Sequence, residues 1–311
     1  MVLLRGMDPE PTSSHSPRRT TRSRGGVLVV LIVCLVCCGC GTPEQNPPPK
    51  QSVPIDLKYL ESLYDIVRSF SEGRAAVRRG VNWAYVNESG DLVTKFIYSD
   101  ASDFSEGLAR VAVDSPRYGY IDRSGAIVIP PRFAVAGDFK ESLAYALEDY
   151  KAQYGYIDKS GTFIIPPQFG SANDFSQGFA GVEIRKKWGF IDKAGKYLVR
   201  PLFRGIGIMG FSEGLAAVET DAGWGFIDMT GAFAIKPQFD DVYSGFVRGS
   251  IPANLGGLWG YIDKTGKFFI KPRFNEVQPF YEDVARVRDG DRWGCINPSG
   301  ESVVCTPGHL P

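Results

Sequence analysis

The chain has 311 residues, 43% of them hydrophobic, and its 35 basic residues balance 35 acidic ones. This length allows one large domain or two ordinary ones, and without a basic excess no nucleic-acid partner is expected. The only two histidines, His15 and His309, lie near the ends of the sequence. A histidine-based metal site or catalytic triad needs a histidine inside the fold, so neither is expected.

Residues 1–39 have the pattern of a secretory signal. Several arginines precede an uncharged apolar run from Val27 to Cys38, which is shorter than the roughly 20 residues that a membrane-spanning helix needs. The segment around Cys40 resembles a bacterial lipobox, whose cysteine is lipidated and becomes the new N-terminus. Cys40 fits best because a small residue precedes it, and Cys38 is the alternative lipidation site. An uncleaved anchor or a signal without lipidation is the other interpretation.

Residues 40–55 contain five prolines, a composition that favours extended chain and predicts a semi-stiff tether. The repeat domain is expected to occupy residues 56–311. We therefore expect an exported protein anchored to the bacterial cell envelope by its N-terminal lipid, at the outer membrane if the host is Gram-negative.

Cysteine usage agrees with export. Four of the six cysteines lie in the signal, which leaves Cys295 and Cys305 in the folded part. Two cysteines on neighbouring strands of a terminal hairpin suggest a disulfide in an exported protein; two free buried thiols are the alternative. No Cys-x-x-Cys spacing occurs outside the signal, so neither zinc nor another cofactor is expected.

A unit of 34–36 residues recurs along the chain. Each copy begins with an aromatic residue followed by a small one; the aromatic residues are Trp83, Tyr118, Tyr154, Trp188, Trp224, Trp259 and Trp293. An aliphatic residue, an Asp or Asn and then a glycine follow, as in Ile262-Asp263-Lys264-Thr265-Gly266. The Asp or Asn caps the turn and the glycine accepts a positive φ, so the pattern predicts a β-hairpin.

Two further markers complete the unit. A proline and an aromatic residue follow the hairpin, as in Pro272-Arg273-Phe274, and the proline is expected to end the strand because it has no N–H to donate. A Phe-Ser-Glu-Gly motif, as in 104–107, precedes a short alternating strand. Each unit thus predicts three strands and a fourth around the aromatic residue after the proline. The one helical pattern, Leu57–Val67, should stop near Leu63, where the repeat text begins.

These motifs are similar to those of the bacterial WG (KWG) β-repeat family over roughly residues 64–305. The resemblance implies a β-rich array in an exported or surface-associated protein, and it supplies no catalytic residues. Ala84 departs from the family pattern, since a glycine is expected there.

The order of the markers predicts how the array is arranged. It opens with the later part of a unit, Tyr64–Val77, and closes with the earlier part of one, Trp293–Val304. Pairing these two parts in one shared sheet would close a ring, which favours an all-β, seven-bladed propeller-like fold. An open β-solenoid is the alternative, because about 35 residues is short for a four-stranded blade.

Repeated side chains are interpreted as structural. The aromatic residues are expected in the core, the turn aspartates are too sparse for calcium, and the repeated glutamates are not expected to be a glycosidase pair. Segments that break the repeat are better candidates for binding, namely 204–210 with its two-residue insertion and the glycine-rich 249–258. Met209 and Leu258 are the candidate binding residues on these expected loops.

The sequence therefore favours a non-enzymatic envelope lipoprotein whose repeat domain binds another protein or a cell-wall glycan. A carbohydrate-active enzyme is the alternative, and an acid pair out of register with the repeat, in a deep cleft, would favour it. A purely structural spacer is the third interpretation.

Overall fold

The computed structural model describes residues 56–113 and 117–305, so the predicted signal, the lipidation of Cys40 or Cys38 and the tether lie outside the described residues. Helix α1 spans Leu57–Leu63 and ends where the sequence analysis placed its end. In this part of the chain, no helix has the length and apolar character to cross a bilayer.

Seven units of antiparallel strands follow the helix; six have four strands of their own, and the first has three and shares β4 with the second. The first strands are β1 (Ile66–Val67), β4 (Tyr98–Ala101), β8 (Val135–Ala136), β12 (Ser171–Ser176), β16 (Gly205–Ser212), β20 (Asp241–Val242) and β24 (Glu276–Val277). The second strands are β2 (Arg74–Arg79), β5 (Leu108–Val113), β9 (Ala144–Leu147), β13 (Phe179–Ile184), β17 (Leu215–Thr220), β21 (Ser250–Leu255) and β25 (Ala285–Asp289).

The third strands carry the aromatic–small pair. They are β3 (Asn82–Asn87), β6 (Tyr118–Asp122), β10 (Tyr154–Ile157), β14 (Lys187–Asp192), β18 (Gly223–Asp228), β22 (Leu258–Asp263) and β26 (Arg292–Ile296). The fourth strands of units two to seven are β7 (Ile127–Phe133), β11 (Phe163–Phe169), β15 (Tyr197–Phe203), β19 (Phe233–Phe239), β23 (Phe268–Phe274) and β27 (Ser302–Val303). In the first unit β4 takes that place.

The prediction of an all-β repeat fold is confirmed, but the prediction that the two ends of the array share one sheet is wrong. Strands pair in chain order, and β4 pairs with both β3 and β5, so one seven-stranded and five four-stranded sheets form among the described residues. β1 pairs with β2, and β27 pairs with β26. The predicted closing sheet shared by Tyr64–Val77 and Trp293–Val304 therefore does not form, because each of these segments completes the sheet of its own unit.

The fourth strand does not end at its proline, contrary to expectation. Pro272, for example, lies inside β23, which continues to Phe274. The strand is an edge strand, so a residue without an N–H costs it no ladder hydrogen bond on the solvent side. A register shift brings its backbone across Gly260, where an added Cβ would lie 2.8 Å from the Pro272 nitrogen.

The small residue after each aromatic residue is explained by this crossing. In units two to six a Cβ on the glycine would lie 2.6–2.8 Å from the proline nitrogen of the fourth strand. Ala84 occurs in the first unit, which has no such proline, and Ala84 is fully buried there. The glycine is therefore required wherever the proline strand crosses it.

The predicted hairpin turns are confirmed. In the sixth unit, the Asp263 carboxylate accepts hydrogen bonds from the N–H of Thr265 (2.9 Å) and of Lys267 (3.2 Å). Gly266 has a φ of +81°. The Thr265 hydroxyl also donates to this carboxylate at 2.6 Å, and this bond is the main reason that the pKa of Asp263 is lowered.

Adjacent units are joined by the Phe-Ser-Glu-Gly turns. Glu72 has a φ of +52° and, with Gly73, forms the centre of a two-residue hairpin turn closed by Ser71 and Arg74. The Ser71 hydroxyl donates to the Phe104 carbonyl of the next unit at 2.7 Å. The Glu72 carboxylate accepts from the Gly107 N–H of that unit at 2.9 Å.

The same contact recurs at the next four unit boundaries, where the accepting side chains are Glu106, Glu141, Gln177 and Glu213. At the last boundary the position is Arg248, which has no acceptor atom. We call this series of contacts the turn ladder.

Hydrophobic cores lie between units rather than inside them. Tyr156 of the third unit is fully buried, and its ring centroid lies 4.8 Å from that of Phe175 in the fourth unit. Equivalent pairs occur at all five remaining unit boundaries. They are Tyr85–Phe104, Tyr120–Phe139, Phe190–Phe211, Phe226–Phe246 and Tyr261–Phe280.

The two ends of the described array carry features that the repeat lacks. On the first unit, Leu60 of α1 is fully buried in a cluster with Val77 and Val86. In the last unit, Cys295 stands where the sixth unit has the buried ring of Tyr261. Cys295 forms a disulfide with Cys305, and their Cα atoms are 5.4 Å apart.

We expect Gly260→Ala to lower the free energy of unfolding by about 2–3 kcal/mol, because the added methyl group overlaps the backbone of β23. Gly294→Ala is the matched control, since an added Cβ there meets no atom of residues 56–113 or 117–305 within 4 Å and should change stability by less than about 0.5 kcal/mol. Urea unfolding measures both values. Equal losses in the two variants would contradict this account of the aromatic–glycine pair.

Glu106 allows a second test. It accepts from the Ser142 N–H at 2.8 Å and pairs with Lys159 at 3.2 Å. Burial raises its pKa, but these partners together outweigh burial and lower the pKa overall. The stabilisation of the folded state by the Glu106 carboxylate is therefore present above the unfolded pKa near 4.5. It is lost as the pH falls through the lower pKa of the folded state.

Glu106→Gln should keep the hydrogen bond from the Ser142 N–H, as Gln177 keeps the equivalent bond from the Gly214 N–H of the next unit. It should lose about 0.5 kcal/mol at pH 7, because the lost ion pair is partly exposed. Glu106→Ala should lose more, because the Ser142 N–H then has no acceptor in the ladder. Unfolding measured from pH 3 to pH 8 tests this order; a Gln variant as unstable as the Ala variant would contradict it.

Candidate binding surface

In each unit, two to four residues just before the Phe of the turn motif lie outside the regular register between the first and second strands. In the fourth unit, for example, the register shifts between Ala172 and Phe175. We call these residues the bulge segments; they are 68–69, 102–103, 137–138, 173–174, 207–210, 243–245 and 278–279. Since no regular ladder fixes them, their side chains are free to differ between units.

Tyrosines of the preceding unit hold several of these segments in place. The hydroxyl of Tyr120 donates to the Gly137 carbonyl at 2.6 Å, and that of Tyr156 donates to the Asn173 carbonyl at 2.7 Å. Burial raises the pKa of both tyrosines, so they remain protonated donors. The backbone of these bulge segments is therefore fixed from behind, which leaves the side chains to present a surface.

Three consecutive bulge segments end in an aspartate. Asp103 is exposed and lies 3.9 Å from Arg68. Asp138 and Asp174 are half-buried, and each has a buried Oδ1 without a hydrogen-bond partner in the described structure. Burial, followed by the neighbouring charge of Asp138, raises the pKa of Asp174 to about 6. Half-buried carboxylates that have an oxygen without a partner can accept hydrogen bonds from a ligand.

Second-strand side chains complete the surface. Arg110 donates to the Ala136 carbonyl at 2.6 Å, and its guanidinium lies 5.0 Å from the centre of the Tyr118 ring. Its Nε is buried and has no hydrogen-bond partner in the described part. The ring of Tyr145 lies against Gly137, where an added Cβ would be 2.5 Å from a ring carbon. Unpaired donors and acceptors beside an aromatic ring suit a ligand rich in hydroxyl or amide groups.

The surface becomes apolar in the fifth unit. Met209 lies in the bulge segment of β16 and is 50% exposed, beside Ile208 at 78%. Its sulfur approaches the sixth unit at Gly245, where an added Cβ would be 3.4 Å away. The predicted insertion is therefore part of this surface.

Leu258 is placed elsewhere, and the loop expected over 249–258 is not observed. That segment forms β21, a tight turn at Gly256 and Gly257 and the start of β22. Both glycines have positive φ, as a two-residue hairpin turn requires. Composition misled the sequence analysis here, because the glycines shorten the connection instead of lengthening it.

Of the residues on this surface, the sequence analysis named Met209 but not Asp138, Asp174 or Arg110. The aspartates directly precede the Phe marker, a position for which the sequence analysis makes no prediction. The available signal was that three neighbouring units have Asp at that position, whereas other units have Ser69, Gly210, Gly245 or Pro279.

We expect Asp174→Asn to stabilise the fold at pH 8 by roughly 1–3 kcal/mol, because one pKa unit corresponds to about 1.4 kcal/mol. The carboxyl pKa is raised in the folded state, so the cost of its ionisation is present above about pH 6 and disappears as the pH falls toward the unfolded value. The gain should therefore vanish near pH 4. Urea unfolding at pH 8, 6 and 4 measures it, with exposed Asp103→Asn as the control; a gain that does not depend on pH would contradict this.

Three solved structures resemble this one in fold. A structure described as the eukaryotic initiation factor has a TM-score of 0.50 and 12% identity and covers 76% of each chain. BamB from Moraxella catarrhalis has a TM-score of 0.43 and 13% identity, covering 76% of this chain and 83% of its own. AztD from Citrobacter koseri has a TM-score of 0.44 and 12% identity, covering 76% and 84%. At such identities the likeness concerns the fold alone.

No curated protein matches the sequence. The sequence profile described as "WG containing repeat" does match, over residues 83–115, 118–151, 154–188, 188–222, 224–258 and 259–293. Each match begins at or next to the aromatic residue of a third strand, and together the matches cover more than half of the chain. The chain therefore belongs to the family of WG-containing repeat proteins.

Proposed function

We propose that this chain is a non-enzymatic, lipid-anchored protein of the bacterial cell envelope, and that its repeat domain binds another protein or a cell-wall glycan. The bulge segments of units two to five form the binding surface. The observation that carries the proposal is the pair Asp138 and Asp174, each with a buried carboxylate oxygen that has no partner in the described structure.

The other repeated polar side chains support this assignment because they are already engaged. The Ser and Glu of the turn motif bind the next unit, and the turn aspartates bind their own turns. A buried polar atom without a partner costs about 1–3 kcal/mol. A ligand that hydrogen-bonds Asp138, Asp174 and Arg110 removes that cost, and the apolar Met209 of the next bulge segment adds contact area that contains no charge.

Anchoring is proposed from the sequence alone. Cys40 is the proposed lipidation site, and Cys38→Ser is the matched control for Cys40→Ser. In cells fed an alkyne-bearing palmitate, label should be lost only in the Cys40→Ser protein. Label that persists in Cys40→Ser and disappears in Cys38→Ser would show that Cys38 is the lipidation site. Wild-type protein without label would contradict the lipid anchor.

Binding is tested by photo-crosslinking of the full-length protein in envelope preparations and by sedimentation with purified cell-wall glycan. The double variant Asp138→Asn/Asp174→Asn and the variant Met209→Ser should each retain at most about a tenth of the partner, a loss of 1.4 kcal/mol or more. Asp221→Asn and Leu258→Ser are controls outside the bulge segments and should bind like wild type. Unchanged binding in all four variants would contradict the surface and favour a structural spacer.

A carbohydrate-active enzyme is the second candidate, and the raised pKa of Asp174 beside Asp138 is the observation in its favour. A carboxyl group with a raised pKa near a second carboxyl group is the arrangement that glycoside hydrolysis uses. The two acids nevertheless occupy equivalent positions of consecutive units, in register with the repeat. Release of reducing ends from cell-wall glycan by wild type, abolished in Asp174→Asn, would establish this activity in place of simple binding.

A further inference from the structure

Arg110 and Tyr145 occupy the same position in consecutive units. Arg110 lies on its second strand directly opposite Tyr120, which is buried between units. Tyr145 lies opposite Tyr156 in the same way. The first, fourth and fifth units have small residues at this position, namely Ala76, Gly181 and Ala217. The repeat therefore does not need a large side chain here, and the fold alone does not explain Arg110 and Tyr145.

Both side chains lie against the backbone around the bulge segment of the third unit. The Tyr145 ring lies over Gly137, where an added Cβ would be 2.5–2.9 Å from three ring atoms. The Arg110 guanidinium donates to the Ala136 carbonyl at 2.6 Å. Asp138 comes directly after Gly137 in the chain. An aromatic ring, a guanidinium and a carboxylate are thus brought together at this segment.

The hydroxyl of Tyr145 takes no part in holding the fold. Third-strand tyrosines donate their hydroxyls to backbone carbonyls of the next unit; they are Tyr85, Tyr120, Tyr156 and Tyr261. The Tyr145 hydroxyl has no such partner among residues 56–113 and 117–305. Since Tyr145 is also only half-buried, its ring and its hydroxyl can both contact a ligand.

Charges of both signs lie near this ring. Burial raises the pKa of Tyr145, the charge of Asp174 adds to the rise, and the charge of Arg110 opposes it. The pKa of Asp174 is in turn raised by the charge of Asp138 and lowered by those of Lys140 and Arg110. Each aspartate still has an Oδ1, and Arg110 an Nε, without a hydrogen-bond partner in the described structure. Unused acceptors and an unused donor therefore lie close together.

This mixture of donors and acceptors selects a ligand without net charge. A cation would pair with the two aspartates but would be repelled by Arg110 and Lys140, and an anion would meet the opposite combination. A hydroxyl group both donates and accepts, so a ligand rich in hydroxyls can bond to the carboxylates and the guanidinium at once. A sugar also has an apolar face of C–H groups, which packs on an aromatic ring such as that of Tyr145.

We infer that these residues bind a neutral glycan, with one sugar ring packed on Tyr145 and its hydroxyls bonded to the neighbouring carboxylates and guanidinium. We call this the Tyr145 site; it consists of Arg110, Asp138, Tyr145 and Asp174. The inference rests on the proposed function and selects the glycan from its two classes of ligand. Because Asp138 and Asp174 belong to consecutive units, an oligosaccharide is favoured over a single sugar.

Tyr145→Ala tests the site with little change to the repeat, because the first and fifth units have alanine at this position. Tyr145→Phe keeps the ring and removes only the hydroxyl. Tyr150→Ala is the matched control, since Tyr150 is 64% exposed and lies in the turn that follows the same strand. Urea unfolding shows whether each variant is folded before binding is compared. The comparison of neutral and charged probes uses wild type and needs no variant.

The probes are the β-1,4-linked tetramers of glucose and of N-acetylglucosamine, which are neutral, with tetragalacturonate as the anionic probe and tetralysine as the cationic one. Calorimetric titrations at pH 7.5 use the full-length lipidated protein in a zwitterionic detergent that contains no sugar. We expect saturable binding of a neutral tetramer to wild type and to Tyr150→Ala. Its binding should be about tenfold weaker to Tyr145→Ala and about threefold weaker to Tyr145→Phe, and both charged probes should bind wild type at least about tenfold more weakly.

Absent binding of both neutral tetramers, or equal binding to wild type and a folded Tyr145→Ala, would overturn the inference. Tighter binding of tetralysine or tetragalacturonate than of either neutral tetramer would overturn it in favour of a charged ligand. A protein crosslinked through the bulge segments, without binding of any tetramer, would overturn it and leave the proposed function in place. Failure of the proposed function is a separate result, namely unchanged partner binding in the variants of Asp138, Asp174 and Met209.

Discussion

The arrangement of this protein depends on a hairpin turn with a glutamate in the left-handed region. Asn-Gly fits such a turn with less strain, but its side chain is too short to reach the next unit. Glu72 adopts a φ of +52°, which costs on the order of 1 kcal/mol, and its carboxylate then receives the Gly107 N–H. One position thus determines both the turn and the placement of the following unit. Because the contact is repeated, the units stack in one relative orientation.

The turn ladder also explains where variation occurs. Side chains that bind the neighbouring unit cannot change without losing that contact, and the same holds for the rings buried between units. The backbone of several bulge segments is held by hydroxyls of the preceding unit, such as that of Tyr156. Their side chains therefore change from acidic at Asp138 and Asp174 to apolar at Met209 without disturbing the ladder. A surface that differs along an otherwise uniform array is what specific recognition requires.

The ends of an array of this kind need separate solutions, because each unit uses its neighbour to bury its aromatic residues. The first unit buries Leu60 of α1. The last unit has Cys295 where other third strands have an aromatic ring, and a disulfide to Cys305 holds its short hairpin.

The sequence by itself determined the repeated unit: its hairpin, its capped turns and the end of α1 near Leu63. These features depend on contacts within a few residues, where Asp, Gly and alternating apolar side chains act through local geometry. Tertiary structure decided which segments pair, since Tyr64–Val77 could join either the first or the last hairpin by pattern alone. It also decided that Pro272 lies within a strand, that Leu258 lies beside a tight turn, and that Asp138 and Asp174 share a surface with Arg110. Those facts depend on contacts between units, and no spacing along one unit specifies them.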